Sequence, residues 1–230
     1  MERYAEYSAQ QVGSFPVLEM KITRRSKSKG KNQKFDAHFP DGTILMMLIL
    51  ASQSPRRKEI LEAAGIEFLV RVAPVDESVR PGEAPMSYVR RLAASKALAV
   101  PLEKGEVILA ADTTVVVDGQ ILGKPEDADD ARRMLQLLSG RTHEVLTGIC
   151  LRKDGTLQID GETTLVEFSE LSASEIDDYI QTGEPMDKAG AYGAQGRAAK
   201  FIRRYEGCYF NVVGLPISLV YRHLKKIQNT

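Results

Sequence analysis

Ser52-Gln53-Ser54-Pro55-Arg56-Arg57 puts a hydroxyl, a helix start and two guanidiniums next to one another. The run follows apolar Leu48-Ile49-Leu50-Ala51 and leads into a helical pattern over 58–64, so it reads as a strand end joined to a helix start. Ser54 suits the N-cap, Pro55 the first helical position and Gly65 the residue just past the helix. Cations normally avoid a helix N-terminus, where the backbone dipole already supplies partial positive charge. Two arginines beside free N–H groups therefore point to an anionic ligand, with phosphate first. Two solvated surface arginines are the alternative.

A carboxylate and a lysine form the second group. Ala110-Ala111-Asp112-Thr113 sets Asp112 at the C-terminal end of an apolar run over 107–111, the place where open α/β sheets bind ligands. A carboxylate there is paired, hydrated or metal-bound, or it caps a turn. Asp118-Gly119 signals a hairpin between 113–117 and 120–122, which returns Gly123-Lys124-Pro125 toward Asp112. A two-residue turn sets position 112 opposite 125, and a three-residue loop sets it opposite 124. Either register brings the Lys124 ammonium near the carboxylate. A plain surface ion pair is worth little, but beside two arginines at a helix start the pair points to metal-assisted phosphate hydrolysis. Asp76-Glu77 lies in a Pro-containing loop and offers acids for a divalent cation. Lys96 falls on the outward face of its helix with Arg90 and Arg91 and reads as solvated charge. The Gly/Ala-rich run 187–196 carries Gln195, whose amide can both donate to and accept from a base edge. His38, His143 and His223 form no triad or metal-ligand spacing.

The elements that must hold these groups alternate. A strand is predicted over 66–72. A helix is predicted over 88–100, with the apolar stripe Val89, Leu92, Ala93, Ala97 and Val100. The run 107–111 reads as a central strand buried on both faces. A helix over 126–139 follows, then strands over 142–152 and 156–168 around Asp154-Gly155. Ser172-Ala173-Ser174-Glu175 is a capping box for a helix to about Thr182, and a last helix covers 215–227. The order predicts an α/β protein with a mixed sheet and helices on both faces.

A net charge of +0 excludes a chain built overall for nucleic acid or membrane surfaces, so any anion site is a local cluster. Two distant cysteines, Cys150 and Cys208, argue against a structural zinc site. No apolar run approaches the ~20 residues of a membrane helix. The expectation is a soluble, cytoplasmic protein. Residues 1–45 lack apolar periodicity and carry a basic run over 21–34, which predicts a disordered tail; a nucleic-acid or localisation arm and a mis-annotated start are the alternatives. The core pattern begins at Met46-Met47, giving one α/β domain over 46–230.

Taken together, Leu50-Ala51-Ser52-Gln53-Ser54-Pro55-Arg56-Arg57, Ala110-Ala111-Asp112-Thr113, Gly123-Lys124-Pro125 and Asp187-Lys188-Ala189-Gly190-Ala191-Tyr192-Gly193-Ala194-Gln195-Gly196 resemble the Maf family of nucleotide pyrophosphatases. The resemblance runs from about Leu48 to the C-terminus. It implies an inosine-triphosphatase-like fold, an elongated mixed sheet with flanking helices and a cleft between two lobes, usually as a homodimer. It also implies hydrolysis of nucleoside triphosphates to the monophosphate and pyrophosphate with a divalent metal cation, Mg or Mn. In that resemblance Asp112 matches the catalytic acid. Ser52, Arg56, Arg57, Lys96 and Lys124 match phosphate-handling positions, with Lys124 counted beside Asp112 in the catalytic pair. Glu77 matches a further acidic position, and Glu77 and Asp112 are the candidate metal ligands. Arg56, Thr113 and Gln195 match positions tied to substrate choice, and the form of the loop resembles the branch acting on dTTP and UTP. Alternatives are 7-methyl-GTP or inosine/xanthosine triphosphate as substrate, or a nucleotide-binding regulator of cell division.

Overall fold

Twelve residues, Glu106–Val117, run as one unbroken strand (β3) at the centre of a seven-stranded sheet. Residues 46–228 are described by the computed structural model, so the expectation for 1–45 lies outside the described residues. The other strands are β1 (Met47–Leu50), β2 (Leu69–Val70), β4 (Gln120–Leu122), β5 (Thr142–Lys153), β6 (Thr156–Phe168) and β7 (Ile202–Glu206), in the order β2-β1-β3-β5-β6-β7 with β4 also on β3. β1 pairs parallel with β2 and β3, and the remaining pairs are antiparallel.

The helices are α1 (Pro55–Ala63), α2 (Pro85–Ala99), α3 (Ala128–Leu138), α4 (Ala173–Gln181), α5 (Tyr209–Val213) and α6 (Ile217–Gln228). Pro55 opens α1 as predicted, and Gly65 follows it at φ +68, the left-handed conformation that favours glycine. Ser54 takes the N-cap position without a side-chain cap; its backbone N–H instead donates to Ser52 Oγ at 3.2 Å. The capping box at Ser172 and Glu175 forms as read. The Asp118-Gly119 turn has φ of 50 and 76 and pairs Val117 with Gln120, which selects the two-residue register.

Alternation along β3 sorts the helices onto two faces. Ile108 and Ala110 pack with Ala93 and Ala97 of α2, and Val116 packs with Val89. Val107, Leu109 and Ala111 pack with Ile60 and Leu61 of α1 and with Leu219 and Val220 of α6. Val115 and Val117 pack with Ala131, Met134 and Leu135 of α3. Helices therefore cover both faces, as expected.

Two expectations are corrected, and two elements had not been read. The strand over 66–72 shrinks to Leu69–Val70, because only Ile49 and Leu50 pair with it. The short β7 and α5 carry too little pattern to have been read. Asp112 does not end a strand: β3 continues through it, because Asp112 keeps its place opposite Gly148 of β5. Among the described residues, no helix is long and apolar enough to cross a membrane.

Candidate active site

One edge of β3 is interrupted. β5 pairs with β3 from Ile108 to Val116 on one side. On the other side β1 pairs only as far as Leu109, and β4 begins only at Val115. Residues 110–114 therefore have no strand neighbour on that edge, and Asp112 sits at its middle. The chain leaving β1, with Ser52 and Arg56, flanks one end of this gap. The chain leaving β4, with Gly123 and Lys124, flanks the other.

On the α2 face, Asp112 is buried and its Oδ1 accepts from Lys96 Nζ at 2.6 Å. The same ammonium lies 2.7 Å from Glu77 Oε1. Lys96 thus stands between two carboxylates, with its side chain 17% exposed, which corrects the reading of a solvated outward charge. It borders the buried stripe of Ala93 and Ala97, and its long stem carries the charge inward. Glu77 is the more open partner at 53% exposure. Arg91 is also no free surface charge: Nε and Nη2 donate to Glu83 at 2.6 and 2.7 Å and Nη2 donates to the Ser78 carbonyl. That ion pair holds the Glu83 carboxyl down at about 2. Tyr88 Oη donates to the Glu77 carbonyl at 3.0 Å. These bonds tie the loop that carries Glu77 onto α2.

On the opposite face Thr113 meets Arg57. The buried guanidinium donates from Nε to the Gly214 carbonyl (2.8 Å), from Nη1 to Ser52 Oγ (3.0 Å) and from Nη2 to Thr113 Oγ1 (3.1 Å). Burial lowers its pKa, and the nearby Asp112 charge counters this. Thr113 Oγ1 also lies 2.9 Å from Thr147 Oγ1, which donates to the Asn211 carbonyl. Arg57 is therefore a brace fixing Ser52 and Thr113, with two of its five N–H groups left over. Arg56 is freer: its one ion pair among the described residues is to Asp187 Oδ2 at 3.5 Å. Lys124 and Gln195 are exposed. A bond from Gly190 N–H to the Gly123 carbonyl (3.0 Å) joins their two segments.

A family profile described as Maf-like protein matches residues 47–227. The chain belongs to the Maf-like family. Relatives include the dTTP/UTP pyrophosphatase of Anaeromyxobacter dehalogenans (strain 2CP-C), 54% identical over 175 residues, which span 74% of this chain and 89% of that protein. The dTTP/UTP pyrophosphatase of Koribacter versatilis (strain Ellin345) is 51% identical over 182 residues, 79% of this chain and 94% of that protein. Among solved structures, the Staphylococcus aureus Ham1 protein aligns with a TM-score of 0.46 and 15% identity, covering 78% of this chain and 98% of that one. A nucleoside-triphosphatase / dITP/XTP pyrophosphatase from Mycobacterium abscessus aligns with a TM-score of 0.36 and 16% identity, over 56% and 77%.

For a divalent cation, this Maf-like chain offers two carboxylates, Asp112 and Glu77, each with one oxygen outside the Lys96 contact. No group of three or more His, Cys, Asp or Glu placed to hold a metal ion occurs among the described residues. Two acids fit a magnesium or manganese ion that takes its other ligands from substrate phosphates and water, the usual arrangement for such ions. They do not make a cage that would hold the ion alone.

Three residues that support the site carry no assigned role in the sequence. Gly148 faces Asp112 across the ladder, and a Cβ there would lie 2.4 Å from the Val89 carbonyl oxygen. Its presence within a strand was the available signal for a close approach. Tyr192 of the Gly/Ala loop bonds through its hydroxyl to His143 Nε2 at 2.8 Å, and both rings pack edge-on against Phe168. His143, given no role in the sequence, thereby anchors the loop. Burial depresses its pKa to about 4.

Proposed function

We propose that this Maf-like protein hydrolyses nucleoside triphosphates, with dTTP and UTP as preferred substrates, to the nucleoside monophosphate and pyrophosphate. The observation that carries the reading is the buried Asp112 in the unpaired stretch of β3, hydrogen-bonded to Lys96 and flanked by Ser52, Arg56 and Lys124. A buried ionised carboxylate is costly unless paired, and Lys96 pairs one oxygen while the other stays available. In the proposed reaction that oxygen takes the proton of the water attacking the α-phosphorus. The bond from that phosphorus to the bridging oxygen breaks, and the electron pair leaves with pyrophosphate. In this reading Arg56 and Lys124 supply the fixed positive charge that stabilises the leaving group. Glu77, together with the substrate phosphates, would hold a Mg or Mn ion that would supply Lewis-acid neutralisation of the same charge, while the free Asp112 oxygen is kept for the proton.

The choice of pyrimidine rests on Gln195, which can pair with the O4 and N3–H edge of uracil or thymine, and on the names of the relatives. The family resemblance extends the proposal to a cytoplasmic homodimer, which light scattering tests. The decisive assay is pyrophosphate release from dTTP, UTP, CTP, ITP and 7-methyl-GTP with Mg²⁺ or Mn²⁺. Preferred turnover of dTTP and UTP is expected. Release of orthophosphate instead, or turnover of none of the five, overturns the reading.

A further inference from the structure

Gln195 is exposed, yet the turn that carries it is fastened at both ends. Gly196 N–H donates to the Gly193 carbonyl at 3.0 Å, so Ala194 and Gln195 are the two central residues of a turn. Both ends of that turn fasten to a single side-chain pair. At one end Gly193 N–H donates to Tyr179 Oη at 3.2 Å, and that hydroxyl donates to Glu184 Oε1 at 2.9 Å. At the other end Arg197 N–H donates to Glu184 Oε1 and Oε2 at 3.1 and 3.0 Å.

The two glycines show how closely the carboxylate fits. Neither Gly193 nor Gly196 has a positive φ, so backbone freedom does not explain them. A Cβ at position 196 would lie 2.0 Å from Glu184 Oε1, and one at 193 would lie 2.6 Å from Lys188 Cε and 3.2 Å from Glu184 Oε1. The glycines leave room for a carboxylate inserted under the turn. Glu184 is itself held: its N–H donates to Thr182 Oγ1 at 3.1 Å, and its carbonyl accepts from Lys188 Nζ at 2.7 Å. Tyr179 is buried and packs edge-on against Phe201. Burial pushes its hydroxyl pKa up, with the Glu184 bond adding to the effect, so it stays a donor at neutral pH.

A solvent-exposed amide discriminates between bases only if its backbone is already in place when the base arrives. We infer that the Tyr179–Glu184 pair is the positioning device for Gln195 and so sets the preference among pyrimidine triphosphates. This rests on the reading that Gln195 faces the base.

The test compares kcat/KM for UTP and CTP, which share sugar and triphosphate and differ at the base edge. Tyr179→Phe removes the hydroxyl and keeps the ring. Glu184→Gln turns one of two acceptor oxygens into a donor facing the Arg197 N–H. Both variants, like Gln195→Ala, are expected to lower the UTP-to-CTP ratio by about tenfold, as loss of one exposed hydrogen bond does, while inhibition by pyrophosphate stays at the parent level. A ratio lowered by Gln195→Ala but kept by Tyr179→Phe and Glu184→Gln overturns the positioning role. A ratio kept by Gln195→Ala overturns the reading of Gln195 itself, and the inference with it. Should the first two variants not fold, Arg197→Pro and Arg197→Ala replace them. Proline is accepted at the first position of a helical turn and removes the N–H, whereas alanine keeps it. A lower ratio in the proline variant alone supports the anchor, and equal ratios overturn it.

Discussion

Adding one methyl group at Gly148 should lower both stability and turnover, although it touches no site residue. A Cβ there would lie 2.4 Å from Val89 O, 2.5 Å from Val89 C and 2.6 Å from Arg90 N. All three are backbone atoms of α2, so no side-chain rotation relieves the clash. Comfortable contact needs about 3.5 Å, so α2 must retreat from β5 by about 1 Å. That helix carries Lys96, whose bond to Asp112 is now 2.6 Å; a 1 Å retreat takes it beyond hydrogen-bonding range. Overpacking of this kind costs about 1–3 kcal/mol. For a domain of this size that is a fall in Tm of about 2–12 °C. A misplacement of about 1 Å at catalytic groups costs about 100-fold in rate. Gly148→Ala is therefore expected to melt several degrees early and to release pyrophosphate from saturating UTP far more slowly than the parent. Calorimetry and a coupled pyrophosphate assay measure both. An unchanged Tm with unchanged kcat would refute the claim that the seating of α2 on Gly148 positions Lys96.

Asp112→Asn should cut kcat by about 10²–10⁴-fold, the usual share of a general base, with circular dichroism unchanged; a near-normal kcat would remove Asp112 from the mechanism. The adjacent arginines should separate in opposite ways. Arg57→Ala strips the partner from the Gly214 carbonyl, Ser52 and Thr113 and should cost about 1–3 kcal/mol or more of stability in urea unfolding. Arg56→Ala should leave the urea midpoint in place and raise KM for triphosphate, so equal effects of the two would contradict the brace. His143 should make stability pH-dependent: with a native pKa of about 4 against 6.5 unfolded, the unfolded chain binds the proton first as pH falls. Its contribution is complete above pH 6.5 and fades toward pH 4, by about 1.5–2 kcal/mol between pH 6.5 and 5. Urea midpoints of the parent and of His143→Gln across that window check this, and parallel curves would refute it.

Local chemistry was the legible part of the sequence. The Asp118-Gly119 turn, the Ser172 capping box and the Pro55/Gly65 limits of α1 each depend on a few neighbouring residues, and each formed as read. What depended on distant partners was misread or missed. Asp112-Thr113 interrupts an apolar run, and periodicity alone cannot distinguish the end of a strand from a polar pair inside one. The antiparallel partner β5 decides it, from residues far along the chain. Lys96 was placed outward because a helical stripe assigns a charge at its border to solvent, and only the opposed carboxylates draw it in. The site motifs were visible because their residue types are unusual in place, such as cations at a helix start. Of the braces behind them, Tyr179 and Glu184 carry no such mark, and Gly148 carries only that of a glycine within a strand.

The gap in β3 explains why those motifs are spread over the chain. Asp112 and Thr113 are neighbours in a strand, so their side chains leave on opposite faces. One meets Lys96, which also holds Glu77, and the other meets Arg57 and Thr147. In a continuous sheet those two clusters would be sealed from each other by the next strand. Because β1 stops at Leu50 and β4 stops at Leu122, the edge between them is free of strand neighbours, and a ligand lying along it would meet both faces. Arg57 is locked into the protein, which fixes the hydroxyls of Ser52 and Thr113. In the proposed reaction Arg56, held here only by its 3.5 Å pair to Asp187, and Lys124, at the two ends of the gap, are the cations that meet the ligand. A triphosphate needs both fixed geometry at the reacting phosphorus and free cations along its tail. The interruption of one sheet edge provides the two together.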